Sequence, residues 1–443
     1  MDSETLTPQD TLNEFPEPCQ IIPQEGETTF SDDVRLATSN VVPLQRKAMR
    51  AIFSDAGIRV VANKKKFVIE VYVKEPEAED VDVSDVPEFA REGFYTVSIQ
   101  DNVVQIKAVS QEGALWGAQA FADLFIRHRD HGRIQNLIFR AWPQCSTRGL
   151  FADDRLRVDT MDAEDCFHLV ASLADLRMNH LAAPLFGWTK DKQGEGLRPA
   201  LLSRLPEESE ALKSEECANA FNEEDDELPS LYLLDNYKEF VNYTHERGLQ
   251  FAPIVDGLAM SAPFGVWAPE ASALDENGNP KGRGICWTNS KAKQFCGNFY
   301  AAFLSKYFPK GLDALHLILD TTKTWGQQHF TAQDMLCECS SCQKGQATDV
   351  VQGYISWFVD TLRENGVNKI IFWDPEGWTK STNAVGQNDE VITDWQETTI
   401  GGTTVKLSPD SLAAVACPQE RCDWGTELQS LSQAMWYGNL KDS

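Results

Sequence analysis

Five short apolar segments alternate with stretches of helical periodicity after Pro143, and no other feature of the sequence constrains the fold as strongly. The apolar segments read TRGLFAD, MNHLAAPLF, LQFAPIVD, ALHLILD and KIIFWD. Between them, the spacing of apolar residues predicts helices over 163–177, 235–247, 290–307 and 347–364. Continuous apolar strands that alternate with helices are typical of a parallel sheet covered on both faces. The sequence therefore predicts an α/β fold.

The length of this region favours closure of the sheet into a ring. About 300 residues follow Pro143, which is the size of a (β/α)₈ barrel. An open doubly wound sheet is the rival architecture, but no Gly-rich phosphate loop follows any of the strands. We therefore predict a (β/α)₈ TIM barrel over residues 144–443.

A smaller α+β domain is predicted ahead of the barrel, over residues 21–143. Its apolar and polar residues alternate as they do in half-buried strands. Residues 1–20 carry proline and acids without periodicity and are predicted to be a flexible tail. The predicted elements of the small domain are a strand at 67–73, a hairpin at 94–108 that turns at Asp101-Asn102, and a helix at 112–125.

The charge of the chain argues against two classes of partner. Asp and Glu number 67 against 40 Lys and Arg, which gives a net charge of −27 at pH 7. Such a surface repels nucleic acid and anionic membranes, whereas a neutral carbohydrate is unaffected. No apolar run approaches the ~20 residues of a membrane span, and the acidic amino terminus lacks the features of a signal peptide. We therefore expect a cytoplasmic protein with no membrane or nucleic-acid partner; the oligomeric state is not predicted.

Carboxylates end four of the five apolar segments, and tryptophans lie close by. The carboxyl ends of parallel barrel strands form the face on which active sites are built. There, carboxylates transfer protons or bind sugar hydroxyls, and aromatic rings stack against sugar rings. An Asp at a strand end also caps the helix that follows, but its recurrence favours a carbohydrate cleft. The acids are Asp153, Asp256, Asp320 and Asp374, and the tryptophans are Trp325, Trp373 and Trp378.

The same segments resemble the family 20 glycoside hydrolases, the β-N-acetylhexosaminidases, over roughly residues 20–380. REGFYTVSIQDNVVQIKA followed by EGALWGAQAFADLF is similar to the small domain that precedes the barrel in that family. The first five barrel strands are matched, in order, by RGLFADDRLR, ADLRMNHLAAPLF, HERGLQFAPIVD, LHLILDTTKTW and IIFWDPEGW. The resemblance implies a carbohydrate substrate and hydrolysis of terminal N-acetylhexosamine residues.

The resemblance also implies roles for individual residues. Arg148 matches an arginine of the family that binds hydroxyl groups of the terminal sugar. Trp373 matches a tryptophan in the family's fifth strand. Asp320 matches the aspartate that holds the substrate's N-acetyl group so that its carbonyl oxygen attacks the anomeric carbon. The predicted substrate-binding residues are Arg148, Asp153, Asp256, Trp325, Trp373 and Trp378.

The chain departs from the family at the residue that donates the proton. The family carries Glu directly after the strand-four Asp, but this chain has Thr321, which has no proton to give near neutral pH. Ile254 follows Pro253 where an acidic residue is usual, and Ile318 and Leu319 replace two glycines. Beyond residue 390 no tyrosine can be matched to the one that contacts the N-acetyl oxygen in the family. The sequence therefore does not decide whether the chain is an enzyme.

Three other carboxylates are candidates to replace the missing acid. Glu376 and Asp374 follow the fifth strand, and Glu270 lies in the loop after the third. Glu376 ranks first because Trp373 and Trp378 flank it and are expected to raise its pKa by desolvation. An acid at this position also serves as a helix cap. The predicted catalytic residues are Asp320, Glu376 and Asp374.

Two functions are compatible with these residues. The first is a glycoside hydrolase of the β-N-acetylhexosaminidase type that acts on terminal N-acetylhexosamine residues with a non-standard general acid. The alternative is a catalytically inactive, hexosaminidase-like protein that binds carbohydrate or serves as a scaffold. Because general acid catalysis is worth about 10²–10⁴-fold in rate, Thr321 is the residue that divides the two hypotheses.

A cluster of cysteines lies after the fourth strand. The chain has 11 Cys, and Cys337, Cys339 and Cys342 form a C-x-C-x₂-C pattern. Such spacing binds zinc when a fourth ligand is present, which His329 or a distant cysteine would have to supply. Three thiols alone do not close a tetrahedral site, and reduced thiols are the alternative. We therefore predict no metal ligands at the active site and no cofactor, and leave metal binding by the cluster open.

Overall fold

Two large β-sheets, each packed against helices, organise the chain in the computed structural model. The predicted boundary at residue 143 falls between the last strand of the first sheet and the first strand of the second. The predicted tail lies outside the described residues apart from Gln20. The structure describes residues 20–62, 67–74, 81–143, 147–151, 163–184, 188–190, 197–199, 234–256, 269–319, 336–344, 347–393, 396–400, 403–408 and 413–416.

The first sheet has seven strands in a mixed arrangement. They are β1 (Gln20–Thr29), β2 (Asp33–Ser39), β3 (Arg59–Val60), β4 (Val68–Val73), β5 (Tyr95–Gln100), β6 (Val103–Ala108) and β7 (Arg133–Ala141), in the order β1-β7-β5-β6-β4-β2-β3. The predicted strand and hairpin are confirmed as β4 and as β5 with β6. Asp101 and Asn102 have φ angles of 52° and 62°, the left-handed conformation that a two-residue hairpin turn requires.

Two helices pack against this sheet, α1 (Pro43–Asp55) and α2 (Gln111–His128). The Ser110 side chain accepts a hydrogen bond from the Gly113 N–H and caps α2. The close approach of α2 to the sheet depends on Gly117, because a Cβ there would lie 2.5 Å from Ile106 Cγ2. The predicted helix at 112–125 is confirmed as α2, whereas α1, β1, β2 and β7 are not among the predicted elements.

The second sheet contains the predicted apolar segments. Its strands are β8 (Thr147–Phe151), β9 (His180–Pro184), β12 (Gln250–Asp256), β15 (Leu312–Ile318), β16 (Val367–Trp373), β17 (Glu390–Ile392), β18 (Gln396–Ile400), β19 (Thr403–Ser408) and β20 (Ala413–Ala416). Their order is β17-β16-β15-β12-β9-β8-β20-β19-β18. Two short hairpins lie outside this sheet: β10 (Trp188–Lys190) with β11 (Leu197–Pro199), and β13 (Ser272–Leu274) with β14 (Pro280–Ile285).

The parallel part of this sheet runs without interruption from β17 to β20. β20 pairs in parallel with β8, as the last and first strands of a barrel do. β18 and β19 form an antiparallel hairpin beside it. Among the described strands the sheet is curled but keeps two edges, β17 and β18. The predicted α/β fold with a parallel sheet is therefore confirmed, whereas a complete (β/α)₈ ring is not formed by these strands.

Helices cover the outer face of the second sheet. They are α3 (Ala163–Asp175), α4 (Leu234–Glu246), α5 (Ser290–Tyr307), the short α6 (Ser340–Lys344) and α7 (Ala347–Glu364). The four predicted helices are confirmed as α3, α4, α5 and α7. Phe295, Phe299 and Phe303 of α5 are buried between the helices and the sheet, as their spacing predicts. Shorter 3₁₀ helices occur at Glu88–Gly93, Arg129–His131, Pro269–Ala271 and Trp378–Ser381.

The inner face of the second sheet is also apolar. Alternation along the strands sends one set of side chains toward the helices and the other set to the inner face. Burial on both faces explains why the predicted strands are continuously apolar. The inner cluster consists of Ala182, Ile254, Ile318, Ile371, Trp373 and Ile392.

Among the described residues, no helix combines the length and the apolar composition that a membrane span needs.

Candidate functional site

The carboxyl ends of the parallel strands place several predicted site residues at one edge of the second sheet. Asp256 ends β12 and pairs with Ile318, which in turn pairs with Trp373 at the end of β16. The Leu319 N–H donates a hydrogen bond to the Trp373 carbonyl oxygen over 2.9 Å. The sheet thus brings the backbones of Asp256 and Trp373 to the edge from which the chain continues to Asp320.

Several predicted residues lie beyond that edge. Asp153, Asp320 and Trp325 fall outside the described residues, and so does Thr321. Their roles therefore stay predictions of the sequence. The described residues include the side chains of five further candidates, which are Asp374, Glu376, Trp373, Trp378 and Arg148.

Asp374 is buried and caps a 3₁₀ helix. It is fully buried, and its carboxylate accepts hydrogen bonds from the Trp378 N–H (2.8 Å), the Thr379 N–H (2.7 Å) and the Thr379 hydroxyl (2.6 Å). Gly377, with φ of 75°, turns the chain back so that these donors reach the carboxylate. Both oxygens are therefore engaged at the start of a 3₁₀ helix, and Asp374 acts as its cap. These contacts favour a structural role, and the catalytic role of Asp374 stays a prediction.

Glu376 is exposed, so the two neighbouring tryptophans do not shield it from water as expected. Trp373 belongs to the inner cluster, whereas Trp378 packs against the outer core beneath the helices. The two rings lie on opposite faces of the sheet, and they cannot form two walls of one cleft. The role of Trp378 as a sugar-binding residue stays a prediction, which its packing against the outer core does not favour. Glu270 is exposed in the 3₁₀ helix Pro269–Ala271.

A chain of polar groups that the sequence did not reveal crosses the inner face of the sheet. The Trp373 Nε1–H donates to His316 Nδ1 over 2.9 Å, and His316 Nε2 lies 2.7 Å from His180 Nε2. Because indole is only a donor, His316 Nδ1 must accept, so that the proton of neutral His316 lies on Nε2 and points at His180. Gly149 leaves the room for this pair, since a Cβ there would lie 2.8 Å from His180 Cβ.

Burial keeps both imidazoles neutral. His180 and His316 are 1% and 2% exposed. Desolvation lowers the pKa of His180 to about 4 and lowers the pKa of His316 well below its usual value, with a smaller contribution from His180 itself. Neither ring is therefore in the imidazolium form near neutral pH, so neither can act as a general acid. The pair serves to hold the Trp373 ring in place.

These histidines are expected to make the fold sensitive to acid. Between pH 6.5 and about 4 the unfolded chain binds protons at His180 that the folded chain does not, so stability falls as the pH falls. Between pH 6.5 and 4.5 this amounts to roughly 2 kcal/mol for His180 alone. Urea unfolding of His180→Gln should show a correspondingly smaller loss over this range. His168→Gln, at an exposed position, is the control, and an unchanged pH slope in His180→Gln would refute the assignment.

Arg148 is engaged at the amino end of β8. It is 1% exposed, and its Nη2 donates to Glu112 Oε1 of α2 over 3.0 Å. Its Nε donates to the Arg177 carbonyl oxygen, and its backbone N–H donates to Asn179 Oδ1. Glu112 Oε1 also accepts from Asn179 Nδ2 and Trp116 Nε1. This carboxylate therefore links the two sheets, and the predicted contact of Arg148 with sugar hydroxyls at the carboxyl edge is not supported by its position.

A cavity of about 510 Å³ lies at the amino ends of the parallel strands. The Lys369 side chain forms an ion pair with Glu390 there, over 3.1 Å. Sites in parallel barrels are built at the opposite, carboxyl ends of the strands, so this cavity is not the predicted sugar site. Its polar lining includes Glu112, Arg148, Asn179, Gln250, Lys369 and Glu390.

The structure brings a fourth cysteine to the predicted cluster. Cys286, which follows β14, joins Cys337, Cys339 and Cys342, and the four sulfurs lie within 4.8 Å of one another. No spacing pattern in the sequence points to Cys286, because 53 residues separate it from Cys339. These are the described residues that could hold a metal ion, and they lie apart from Asp256 and Trp373 in the chain.

Comparison with known proteins agrees with the resemblance described from the sequence. No curated protein matches this chain. The family model for glycosyl hydrolase family 20, domain 2, matches residues 12–139. These residues include the first sheet up to Phe139 together with α1 and α2.

Solved structures share the fold over most of the chain. A chitobiase from Flavobacterium johnsoniae has a TM-score of 0.57 at 14% identity, covering 88% of this chain and 56% of its own. A β-N-acetylhexosaminidase from Bacteroides fragilis has a TM-score of 0.57 at 15% identity, covering 85% of this chain and 69% of its own. The N-acetyl-β-hexosaminidase from Streptomyces plicatus, in complex with Thio-NAglucal, has a TM-score of 0.54 at 15% identity, covering 87% and 69%.

At these identities the likeness concerns the fold. This chain spans little more than half the length of the chitobiase. Together with the domain match, the shared fold confirms the resemblance to glycoside hydrolase family 20.

Proposed function

We propose that this chain, a divergent member of glycoside hydrolase family 20, is a hydrolase of the β-N-acetylhexosaminidase type acting on terminal N-acetylhexosamine residues. The observation that carries the proposal is the strand register, which aligns Asp256 with Ile318 and Ile318 with Trp373 at one edge. In the sequence, Asp320 comes two residues after the end of β15 and matches the family's N-acetyl-binding aspartate.

In this proposal, residues of three neighbouring strands form the sugar pocket. Asp320 holds the N-acetyl group so that its carbonyl oxygen attacks the anomeric carbon. Trp373, which the hydrogen bond to His316 holds in place, provides an apolar wall, and Asp256 binds hydroxyls. The Streptomyces plicatus enzyme, which has a similar fold, was solved in complex with Thio-NAglucal, and this supports a sugar pocket in the proposal.

The proton for the leaving oxygen must come from a group other than Thr321. Asp374 is buried, and both of its carboxylate oxygens accept hydrogen bonds, which makes it the weaker candidate. Glu376 follows the same strand and is exposed, so it can approach a bound sugar. We assign the general acid to Glu376: its carboxyl proton passes to the glycosidic oxygen as the bond to the anomeric carbon breaks.

Turnover of a chromogenic β-N-acetylglucosaminide by the full chain tests this assignment. Asp320→Asn is expected to reduce turnover to background, because the N-acetyl carbonyl group is no longer held in position to attack the anomeric carbon. Glu376→Gln should also reduce it, because the amide has no proton to give. Glu364→Gln, at an exposed position at the end of α7, should leave the rate unchanged. Full activity in Asp320→Asn would contradict the proposed site.

A second candidate function is sugar binding without cleavage. Thr321 in place of the family's acid and the capping role of Asp374 favour it, because they remove two of the acids near the edge. In that case the chain binds an N-acetylglucosamine thiazoline but does not turn over the chromogenic substrate. Glu376→Gln would then leave binding unchanged, whereas Asp320→Asn would weaken it.

A further inference from the structure

Four cysteine sulfurs converge where two distant chain segments meet. Cys286 directly follows β14, while Cys337 and Cys339 precede α6 and Cys342 lies within it. All four Sγ atoms lie within 4.8 Å of one another. Cys286 and Cys342 are buried, and the other two are partly buried. The cluster is therefore largely enclosed by protein.

The spacing of the sulfurs suits a tetrahedral metal ion. Cys286 Sγ lies 3.8 Å from Cys339 Sγ and 3.8 Å from Cys342 Sγ. Zinc holds four thiolates tetrahedrally at about 2.3 Å, which places neighbouring sulfurs about 3.8 Å apart. A disulfide needs a separation of about 2.05 Å, and all four cysteines are free. The arrangement therefore fits a bound ion and not a pair of disulfides.

Hydrogen-bond donors surround these sulfurs. The Leu274 N–H points at Cys337 Sγ over 3.3 Å, and the Cys342 N–H points at Cys339 Sγ over 3.4 Å. The Thr288 hydroxyl lies 3.3 Å from the sulfurs of both Cys286 and Cys342. Such donors stabilise thiolates and orient them, as the outer partners of metal ligands do.

We propose that Cys286, Cys337, Cys339 and Cys342 bind one zinc ion in a structural site. Four protein ligands close the tetrahedron and leave no position for water or substrate, so the ion takes no part in catalysis. Tetrahedral sulfur sites also accept iron. Zinc is the assignment because it has no redox chemistry and no geometric preference of its own, which suits an ion that only holds chain segments together.

The ion would join the β13–β14 hairpin to residues 336–344. These segments already contact each other: the Glu338 N–H donates to the Leu274 carbonyl oxygen over 2.7 Å, and Lys281 Nζ donates to the Leu336 carbonyl oxygen over 2.9 Å. Residues 336–344 end the connection that leaves the carboxyl edge at β15 and leads to α7. Zinc therefore anchors the far end of this connection, whether or not the chain hydrolyses a sugar.

Metal analysis of the purified full chain tests the proposal. After expression with added zinc and extensive dialysis, the natural chain should retain one zinc ion per chain. Cys286→Ala should lose it, while Cys286→His should retain it because imidazole is also a zinc ligand. Cys296→Ala is the matched control, since Cys296 is equally buried but lies in α5 outside the cluster. A strong chelator should lower the melting temperature of the natural chain and of Cys296→Ala.

Several results would overturn the zinc site. Loss of zinc from the natural chain on dialysis would do so. Stoichiometric iron with visible absorbance in place of zinc would do so as well. Retention of one zinc ion by a folded Cys286→Ala chain would remove the assigned ligand. Because the metal content of the natural chain is measured without any sugar, a failure here leaves the proposed hydrolase function untouched, and the reverse also holds.

Discussion

Replacing Thr321 with glutamate in the Glu376→Gln chain, which has lost the proposed general acid, is expected to raise the hydrolysis of a chromogenic β-N-acetylglucosaminide by about 10²- to 10⁴-fold. General acid catalysis is worth about this factor, and the substitution restores a carboxyl group directly after Asp320. In the family 20 glycoside hydrolases, which this chain resembles, the residue at that position protonates the leaving oxygen while the preceding aspartate holds the N-acetyl group. The initial rate at saturating substrate is the measurement, because the gain should appear in kcat.

Two variants isolate the proton as the cause of this gain. Thr321→Gln has nearly the same size and shape as the glutamate variant but no acidic proton, so it should show no gain. The double variant Asp320→Asn, Thr321→Glu should also stay at background, since the attacking carbonyl is no longer held. An unchanged rate in a folded chain that carries both Glu376→Gln and Thr321→Glu would show that residue 321 does not face a bound sugar.

Replacing Glu112 with alanine is expected to lower the free energy of unfolding by about 3–5 kcal/mol. One carboxylate oxygen accepts hydrogen bonds from Arg148, Asn179 and Trp116, and the Arg148 side chain is only 1% exposed. Removing the acid takes a charged acceptor away from a buried guanidinium, which is the costly way to break such a pair. Urea unfolding monitored by tryptophan fluorescence measures the change.

Glu88→Ala serves as the control for this experiment. Glu88 is an exposed acid in the 3₁₀ helix Glu88–Gly93, and its loss should change stability by no more than about 0.5 kcal/mol. Glu112→Gln keeps an acceptor oxygen but loses the charge, so it should fall between the two. If Glu112→Ala unfolds at the same urea concentration as Glu88→Ala, the carboxylate does not link the two sheets energetically.

The sequence predicts best those elements whose pattern is local. Helices α5 and α7 have the predicted bounds because their apolar stripes recur at helical spacing. β1 was not predicted, because Pro23 and Gly26 interrupt the alternation of its apolar and polar residues. Its pairing with β7 also shifts register between Pro23 and Glu27. A bulge of this kind removes the period of two on which strand prediction depends.

The site was harder to predict because the roles of its residues depend on distant partners. An aspartate after a strand serves as a catalytic group or as a cap, and the turn at Gly377, which has a positive φ, brings the donors that Asp374 caps. Arg148 matches the family's arginine in the sequence, yet its guanidinium contacts Glu112 of helix α2, which packs against the first sheet. Cys286 completes the cysteine cluster only because the β13–β14 hairpin folds over residues 336–344.

Titration calorimetry with an N-acetylglucosamine thiazoline tests the proposed sugar site most directly. The natural chain should bind the compound at one site, Asp320→Asn should bind it much more weakly, and Glu364→Gln should bind it as the natural chain does. This result is expected whether or not Glu376 supplies a proton, so it separates the site from the reaction. Absence of binding by the natural chain, or equal binding by Asp320→Asn, would contradict a sugar pocket at the carboxyl edge of the parallel sheet.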